Sequence, residues 1–254
     1  MESGLKPRVS CICPTYGRAH TLGESLDCFL QQTYHPRELF ILNDAPVKYR
    51  EVQDARLHEA YASPQRIVYV GRGCMVHVFN EAQFQTLGHK YMRLMEMAGG
   101  DIICHWDDDD LYLPGHIESR VERLRTAQVV KPDLGYVLTY DGGTWRNRGI
   151  QGNVFEGQLA YTAEVARRIP FQPGDNPCYD LLGRFDAAHL VDRSHAEGEP
   201  TYVFRWDTRF PHGECLTGDR WRQGNCDFSE ILKAGDVSGY IELIGSEPEA
   251  SPAS

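Results

Sequence analysis

The chain has 254 residues, with 36 acidic side chains against 26 basic ones and a formal net charge of −10. That field repels polyanions and excludes a non-specific nucleic-acid binder, so an anionic substrate must be received through a local cation or a metal. Hydrophobic residues make up 41% of the chain and charged residues 24%, enough for one large domain or two small ones with a sizeable core.

Arg8 to Tyr16 reads as a strand ending at Pro14, followed by a loop, Thr15 to His20. Thr21 and Glu24 have capping-box spacing, and Leu22, Leu26, Phe29 and Leu30 behind them share one helical face. Glu38–Leu42 is a second strand, closed by Asn43-Asp44-Ala-Pro46, and a mixed stretch near residues 49–62 reads as helical. Arg66–Val70 is a third strand, ending at Gly71-Arg72-Gly73. Leu87, Tyr91, Leu94, Met95 and Ala98 mark a helix stopped by Gly99-Gly100, and Ile117, Val121 and Leu124 mark another after Pro114. Strand–helix alternation of this regularity predicts a doubly wound, mostly parallel sheet with helices on both faces through about residue 127.

Beyond that point strands are expected at 135–140, 154–160 and 202–206, with short helices at 164–169 and 179–190 and a last one at 227–234. Residues 141–151 and 207–225 read as variable loops and 245–254 as a disordered tail. No stretch approaches 18 consecutive apolar residues, and Met1–Arg8 has no apolar signal core. The expectation is a cytoplasmic protein without a transmembrane segment. Eight cysteines lack metal-like pair spacing and read as mostly reduced core thiols.

The stretch around which this pattern is organised is Asp101 to Pro114. An apolar run, Ile102–Trp106, has the length of a buried strand and leads directly into Asp107, Asp108, Asp109 and Asp110. Two carboxylates about 4 Å apart repel by roughly 4 kcal/mol at a protein-like effective dielectric. An acidic surface loop would relieve this with solvent. At the end of a core strand, just before a proline able to open a helix, a bound cation is the better account.

Pro14-Thr-Tyr-Gly-Arg18, Gln31-Gln-Thr-Tyr34, Asn43-Asp44 and Asp101 to Pro114 resemble, in order and spacing, the motif blocks of the family 2 glycosyltransferases. The resemblance is dense over residues 8–127 and thin over 128–225. It implies a GT-A fold with a nucleotide-sugar-binding half, residues 1–127, and an acceptor-binding half carrying a smaller mixed sheet, residues 128–244. It also implies an inverting, metal-dependent transfer from a nucleotide sugar, most often UDP-linked, to an acceptor hydroxyl of a small molecule, glycan or lipid-linked sugar.

Carried over residue by residue, the resemblance assigns Pro14, Thr15, Tyr16, Arg18 and Asp44 to the nucleobase and ribose. Lys90 and Arg72 are the candidate cations for diphosphate or base, and Asp107 and Asp108 face ribose or sugar. Asp109 holds Mn²⁺ or Mg²⁺, with His212 as a further ligand. The family's first acid of the second block is Asn43 here, which leaves Asp44 to meet the base. Its Glu-Asp pair, source of the catalytic base, is missing. Asp175, in a turn free to face the cleft, and Asp180, near a helix start, are the candidates. The rival readings are a sugar-phosphate nucleotidyltransferase, disfavoured by a first loop poor in glycine, and a nucleotide-sugar-binding module without a base.

Overall fold

The computed structural model describes residues 5–49, 56–141, 144–152, 156–195 and 199–207. The first half runs β1 (Val9–Thr15), α1 (Ala19–Gln31), β2 (Arg37–Asn43), β3 (His58–Ala62), β4 (Arg66–Gly71), β5 (Cys74–Asn80), α2 (Leu87–Met97) and β6 (Ile102–His105). After these come β7 (Leu111–Tyr112), α3 (His116–Arg123), β8 (Val129–Val130), β9 (Leu134–Asp141) and β10 (Thr144–Gly152). The chain continues through β11 (Ala160–Thr162), α4 (Ala163–Arg168), α5 (Leu182–Ala187), β12 (Val191–Asp192) and β13 (Tyr202–Asp207).

Nine strands form one sheet in the order β12-β8-β11-β6-β1-β2-β5-β4-β3. Its centre, β6-β1-β2-β5, is wholly parallel, while β11, β4 and β3 pair antiparallel on the flanks. Successive strand residues point to opposite faces and build two cores. Cys11, Cys13, Leu39, Ile41, Val76 and Val78 share a cluster with Leu22, Leu26 and Phe29 of α1 and Ile117 and Val121 of α3. Ile12, Phe40, Leu42, Phe79 and Ile103 share the other with Tyr91 and Leu94 of α2, Val165 of α4 and Phe185 of α5. The sheet is therefore covered by helices on both faces. Among the described residues Cys11, Cys13, Cys28, Cys74 and Cys104 are buried and not disulfide-bonded, as core thiols should be.

Several local expectations are corrected. The third parallel strand is β5, which was not anticipated, and Arg66–Gly71 is its antiparallel hairpin partner. The two-residue turn between them, Arg72-Gly73, has positive φ at both positions (48° and 69°), the backbone a type I′ hairpin needs. Residues 58–62, expected to be helical, pair with β4 as a wholly exposed edge strand, so tertiary pairing overrides helix propensity there. Residues 144–152, expected to lie in a loop, form β10 against β9. Of the strand expected at 154–160, Glu156–Gln158 is a 3₁₀ turn and the strand begins at Ala160. The helix expected over 179–190 is a wide π-type turn, Pro177–Leu181, running into the six residues of α5. The helix at 227–234, the loop from 208 onward and the tail at 245–254 lie outside the described residues.

The capping box also fails. Helix α1 starts at Ala19 with Arg18 as N-cap and no side-chain cap, so Thr21 and Glu24 lie inside the helix. At the other end, buried Arg37 of β2 donates to Phe29 O and Leu30 O (both 3.2 Å), adding a side-chain donor to carbonyls of the last helical turn.

A second sheet, β10-β9-β13-β7, abuts the first through the acidic run. The two residues of β7 follow Asp110 at once and pair with β13, Val203 opposite Leu111. Buried Arg120 and Arg123 of α3 meet Glu199 just before β13, which ties the halves together a second time. Among the described residues no helix is long and apolar enough to cross a membrane.

Candidate active site

The parallel strands bring their carboxyl ends to one edge, where open α/β sheets bind ligands. Thr15, Asn43 and Asn80 are in register across β1, β2 and β5. Asn43 accepts the Gly17 and Ala45 N–H groups (both 3.3 Å) and donates to Asn80 Oδ1 (3.0 Å). It therefore shapes the two loops rather than meeting a ligand. Asp44 is buried. Its Oδ1 takes Lys90 Nζ at 2.5 Å and its Oδ2 takes the Phe84 N–H at 3.0 Å. Lys90, reaching over from α2, also donates to Thr15 O at 2.6 Å. Burial pulls the Lys90 pKa below its ordinary value, and the Asp44 carboxylate opposes that pull. The lysine is thus a buried tie between two strand ends. Pro14 and Tyr16 flank this cluster at the end of β1, both half-buried.

Arg72 does not join it. The β4–β5 turn lies beside Arg37, at the amino ends of the parallel strands, because Gly71 and Cys74 pair with each other and Cys74 with Arg37. Its placement with the nucleotide residues is corrected: the strand it follows runs antiparallel, so its end falls on the opposite edge.

The acidic run hangs from the end of β6 and is fixed from several sides. Trp106 is fully buried between α1 and the loop, stacked on Tyr112 with ring centroids 3.8 Å apart, and its Nε1 donates to Ser25 O at 3.2 Å. Ser25 donates to Asp107 O (2.8 Å), and Asp107 N donates to Tyr112 Oη (2.6 Å). Asp110 turns inward, accepting the Tyr202 hydroxyl and the Arg205 N–H (2.8 Å) of β13. Burial and then the charge of Asp109 push its pKa up to about 8. Arg205 in turn donates to Asp109 O and pairs with buried Glu24 of α1. Asp110 is therefore a brace between the two sheets.

Of the other three acids, Asp108 is buried, while Asp107 and Asp109 keep partial exposure. Burial, followed by the charge of Glu156, holds Asp107 well above the carboxylate range. Burial also raises Asp108, and the Arg18 guanidinium works against it. Arg18 Nη1 lies 2.7 Å from Asp108 Oδ1 and 2.7 Å from Asp109 Oδ2, and Asp109 is the more exposed of the two, its side chain 30% accessible. Among the described residues no three His, Cys, Asp or Glu side chains form a ready metal cage. His212 lies outside those residues.

Gly157 closes the pocket wall beside Asp107. A Cβ there would sit 2.4 Å from Tyr112 Oη, 2.6 Å from Asp107 Oδ2 and 2.7 Å from the Tyr202 ring. Two of these groups position the acidic loop. Gly157→Ala is expected to lower the melting temperature, at an overpacking cost of about 1–3 kcal/mol, and to weaken cation and nucleotide binding together. A thermal melt and a titration on the same sample check both; an unchanged pair of values rules the close approach unimportant.

The two expected bases stand differently. Asp175, expected in a turn open to the cleft, is buried and gripped by the Arg184 fork at 2.9 and 2.5 Å, with the Gln172 N–H at 2.7 Å. Burial works to raise its pKa, but these donors outweigh it and hold the group below the carboxylate range. Its loop is wedged on α2 at Gly88, where a Cβ would meet Gln172 O at 2.4 Å. Asp180 is exposed and accepts the Asn176 N–H at 2.7 Å. Sequence reasoning missed Glu24, Tyr112, Tyr202 and Arg205. Each is an ordinary helix or strand residue by pattern, and only the meeting of distant elements gives it a role.

A parallel sheet ending on a polar nucleotide-type cluster, followed by an acidic loop clamped by a second small sheet, defines a GT-A type architecture. Residues 10–194 match the model of glycosyl transferase family 2, and the chain belongs to that family. An uncharacterized glycosyltransferase of Bacillus subtilis (strain 168), YwdF, is 28% identical over 196 residues, which are 71% of this chain and 62% of that relative. The chain thus spans less than two thirds of that relative's length. Residues 1–349 of S. aureus TarS, solved with UDP-GlcNAc, superimpose with a TM-score of 0.54 at 14% identity, over 93% of this chain and 70% of that one. The mannosyltransferase PcManGT of Pyrobaculum calidifontis, solved with GDP-Man and Mn2+, gives 0.52 at 16% identity, over 95% and 69%. At these identities the likeness speaks for the fold.

Proposed function

We propose that this chain moves a sugar from a nucleoside-diphosphate sugar, UDP-linked by preference, to an acceptor hydroxyl with inversion at the anomeric carbon, aided by Mn²⁺ or Mg²⁺. The observation that carries this reading is the convergence at one sheet edge of the Thr15–Asp44–Lys90 cluster and the Asp107–Asp109 run, bridged by Arg18, in a family 2 chain. The cluster suits a base and ribose, and the acidic run suits the diphosphate and its cation. Thr15, Tyr16 and Asp44 take the base side, with Lys90 positioning Asp44 rather than touching the donor. Asp107 and Asp108 take the ribose and sugar side.

The residues fit a hard divalent cation. Carboxylate oxygens crowd together with pKa values driven up, and such ions commonly use one or two carboxylates plus substrate phosphates. Asp109 would hold it, with His212 as a further ligand. When bound, the ion supplies Lewis-acid stabilisation of the leaving diphosphate. The likeness to a mannosyltransferase solved with Mn2+ supports this. The expected result is that Asp109→Asn weakens Mn²⁺ binding at least tenfold with UDP present, measured by calorimetry. Unchanged affinity would remove Asp109 from the ligand set.

A carboxylate facing the base favours the uracil imide N–H, and the two oxygens of Asp44 keep lone pairs beyond the donors they already accept. UDP should therefore outcompete CDP and GDP in a displacement titration. Better binding of GDP would reject the uridine preference and leave the glycosyl-transfer reading standing.

The test of the whole reading is a panel of nucleotide sugars assayed for nucleoside-diphosphate release with and without Mn²⁺. Release that depends on the cation supports a transferase. Tight nucleotide binding with no release from any donor supports the second reading, a nucleotide-sugar-binding module. The occupied Asp175 carboxylate is the feature that favours that alternative.

A further inference from the structure

Arg18 occupies the Asp109 carboxylate. Its Nη1 is 2.7 Å from Asp109 Oδ2 and equally close to Asp108 Oδ1, so one guanidinium nitrogen bridges both carboxylates. A divalent ion taking Asp109 Oδ2 must displace that contact, because two cations sharing one oxygen at such range repel strongly. The Arg18 side chain is 13% accessible where it meets the two acids. Its backbone is pinned, with Arg18 O accepting Leu22 N at 3.0 Å and the Thr21 hydroxyl at 3.3 Å, so motion is confined to the side chain. It sits at the N-cap of α1, one residue after Gly17 at φ 70°, in the loop that joins β1 to α1. A diphosphate takes a guanidinium fork bidentately, so one bound beside Asp109 would offer Arg18 another anionic partner. Asp108 Oδ2, buried and without a hydrogen bond among the described residues, is left to face whatever follows the departing guanidinium.

We infer that Arg18 is an internal counter-ion that makes cation binding conditional on the nucleotide diphosphate. It holds Asp108 and Asp109 against the bare ion and releases Asp109 when a diphosphate offers it a second anion. The inference rests on the cation-dependent reading above and assigns Arg18 a positioning role. Coupling of this kind is reciprocal: UDP tightens Mn²⁺, and Mn²⁺ tightens UDP by the same factor.

Calorimetric titration of Mn²⁺ into the full chain, with and without saturating UDP, tests it in three proteins. Wild type is expected to bind Mn²⁺ weakly alone and at least about tenfold more tightly with UDP, within the usual range of coupling. Arg18→Gln should bind Mn²⁺ alone about tenfold more tightly than wild type, as expected on removing a competing charge, and should lose most of the UDP effect. Arg18→Lys keeps the charge and should stay near wild type for the ion alone. Structural damage weakens binding, so tightening in Arg18→Gln is not something misfolding can imitate. Equal or weaker affinity for the ion alone in Arg18→Gln overturns the counter-ion role while the cation reading survives. Full UDP coupling retained in Arg18→Gln does the same. No Mn²⁺ uptake by wild type even with UDP overturns both.

Discussion

Asp180→Asn is expected to slow sugar transfer by about 10²–10⁴-fold while leaving UDP affinity unchanged, the size of effect that loss of a general base produces. Of the two carboxylates near the missing Glu-Asp pair, Asp180 alone is exposed, and it accepts the Asn176 N–H. Asp175 cannot easily act as a base, since the Arg184 fork and the Gln172 N–H occupy it and hold its pKa low. Asp175→Asn should therefore act mainly on stability, because it breaks the fork that closes the loop against α2. If Asp180 takes the acceptor proton, the hydroxyl attacks opposite the diphosphate and the product anomer is inverted. Proton NMR of the product reads that directly. A retained anomer, or an Asp180→Asn protein of full activity, places the base elsewhere.

The second large effect is on folding. Lys90→Met is expected to destabilise the protein by about 3–5 kcal/mol, since it leaves the Asp44 carboxylate buried without its cation. Both side chains are at least nine-tenths buried, and the lysine also serves Thr15 O, so its loss loosens the ends of two central strands at once. Asp44→Leu alone should be costly for the matching reason. The double variant Lys90→Met/Asp44→Leu should recover much of the loss, because an apolar pair needs no compensation. Denaturant melts of the four proteins give the coupling energy. Additive losses would show that the pair is not the unit of stability. UDP affinity should fall in every variant, through the altered base-side cluster.

These two residues also show how much of the site could be read before the fold. Asp44 ends an apolar run and Asp107–Asp109 end another, and strand ends in an alternating α/β chain are where ligands gather. That much follows from residue order. Arg72 ends an apolar run as well, yet it lies on the far edge, because β4 is a hairpin partner rather than a parallel strand. A strand's pattern of side chains is the same in either direction, so periodicity cannot tell which edge its end reaches. Lys90 presents the reverse case. On α2 it falls among apolar neighbours as an ordinary helical cation, and only packing of α2 over β1 and β2 turns it into a buried partner of Asp44.

The sequence by itself determined the parallel strands β1, β2 and β6 and the helices α1, α2 and α3 that cover them. It also determined the placement of four acids at the end of β6, because period-2 and period-3.6 burial is a local property of side-chain order. Tertiary structure alone decided which of those acids are turned inward. Asp110 is turned inward by Tyr202 and Arg205, residues more than ninety positions away, whereas Asp109 stays on the open side against Arg18. It likewise decided that Asp175 is a brace and Asp180 an exposed carboxylate, through the reach of one guanidinium, Arg184. Adjacent aspartates have the same chemistry in the chain. What separates them is the burial and the donors that distant elements bring, and those exist only once the two sheets have packed.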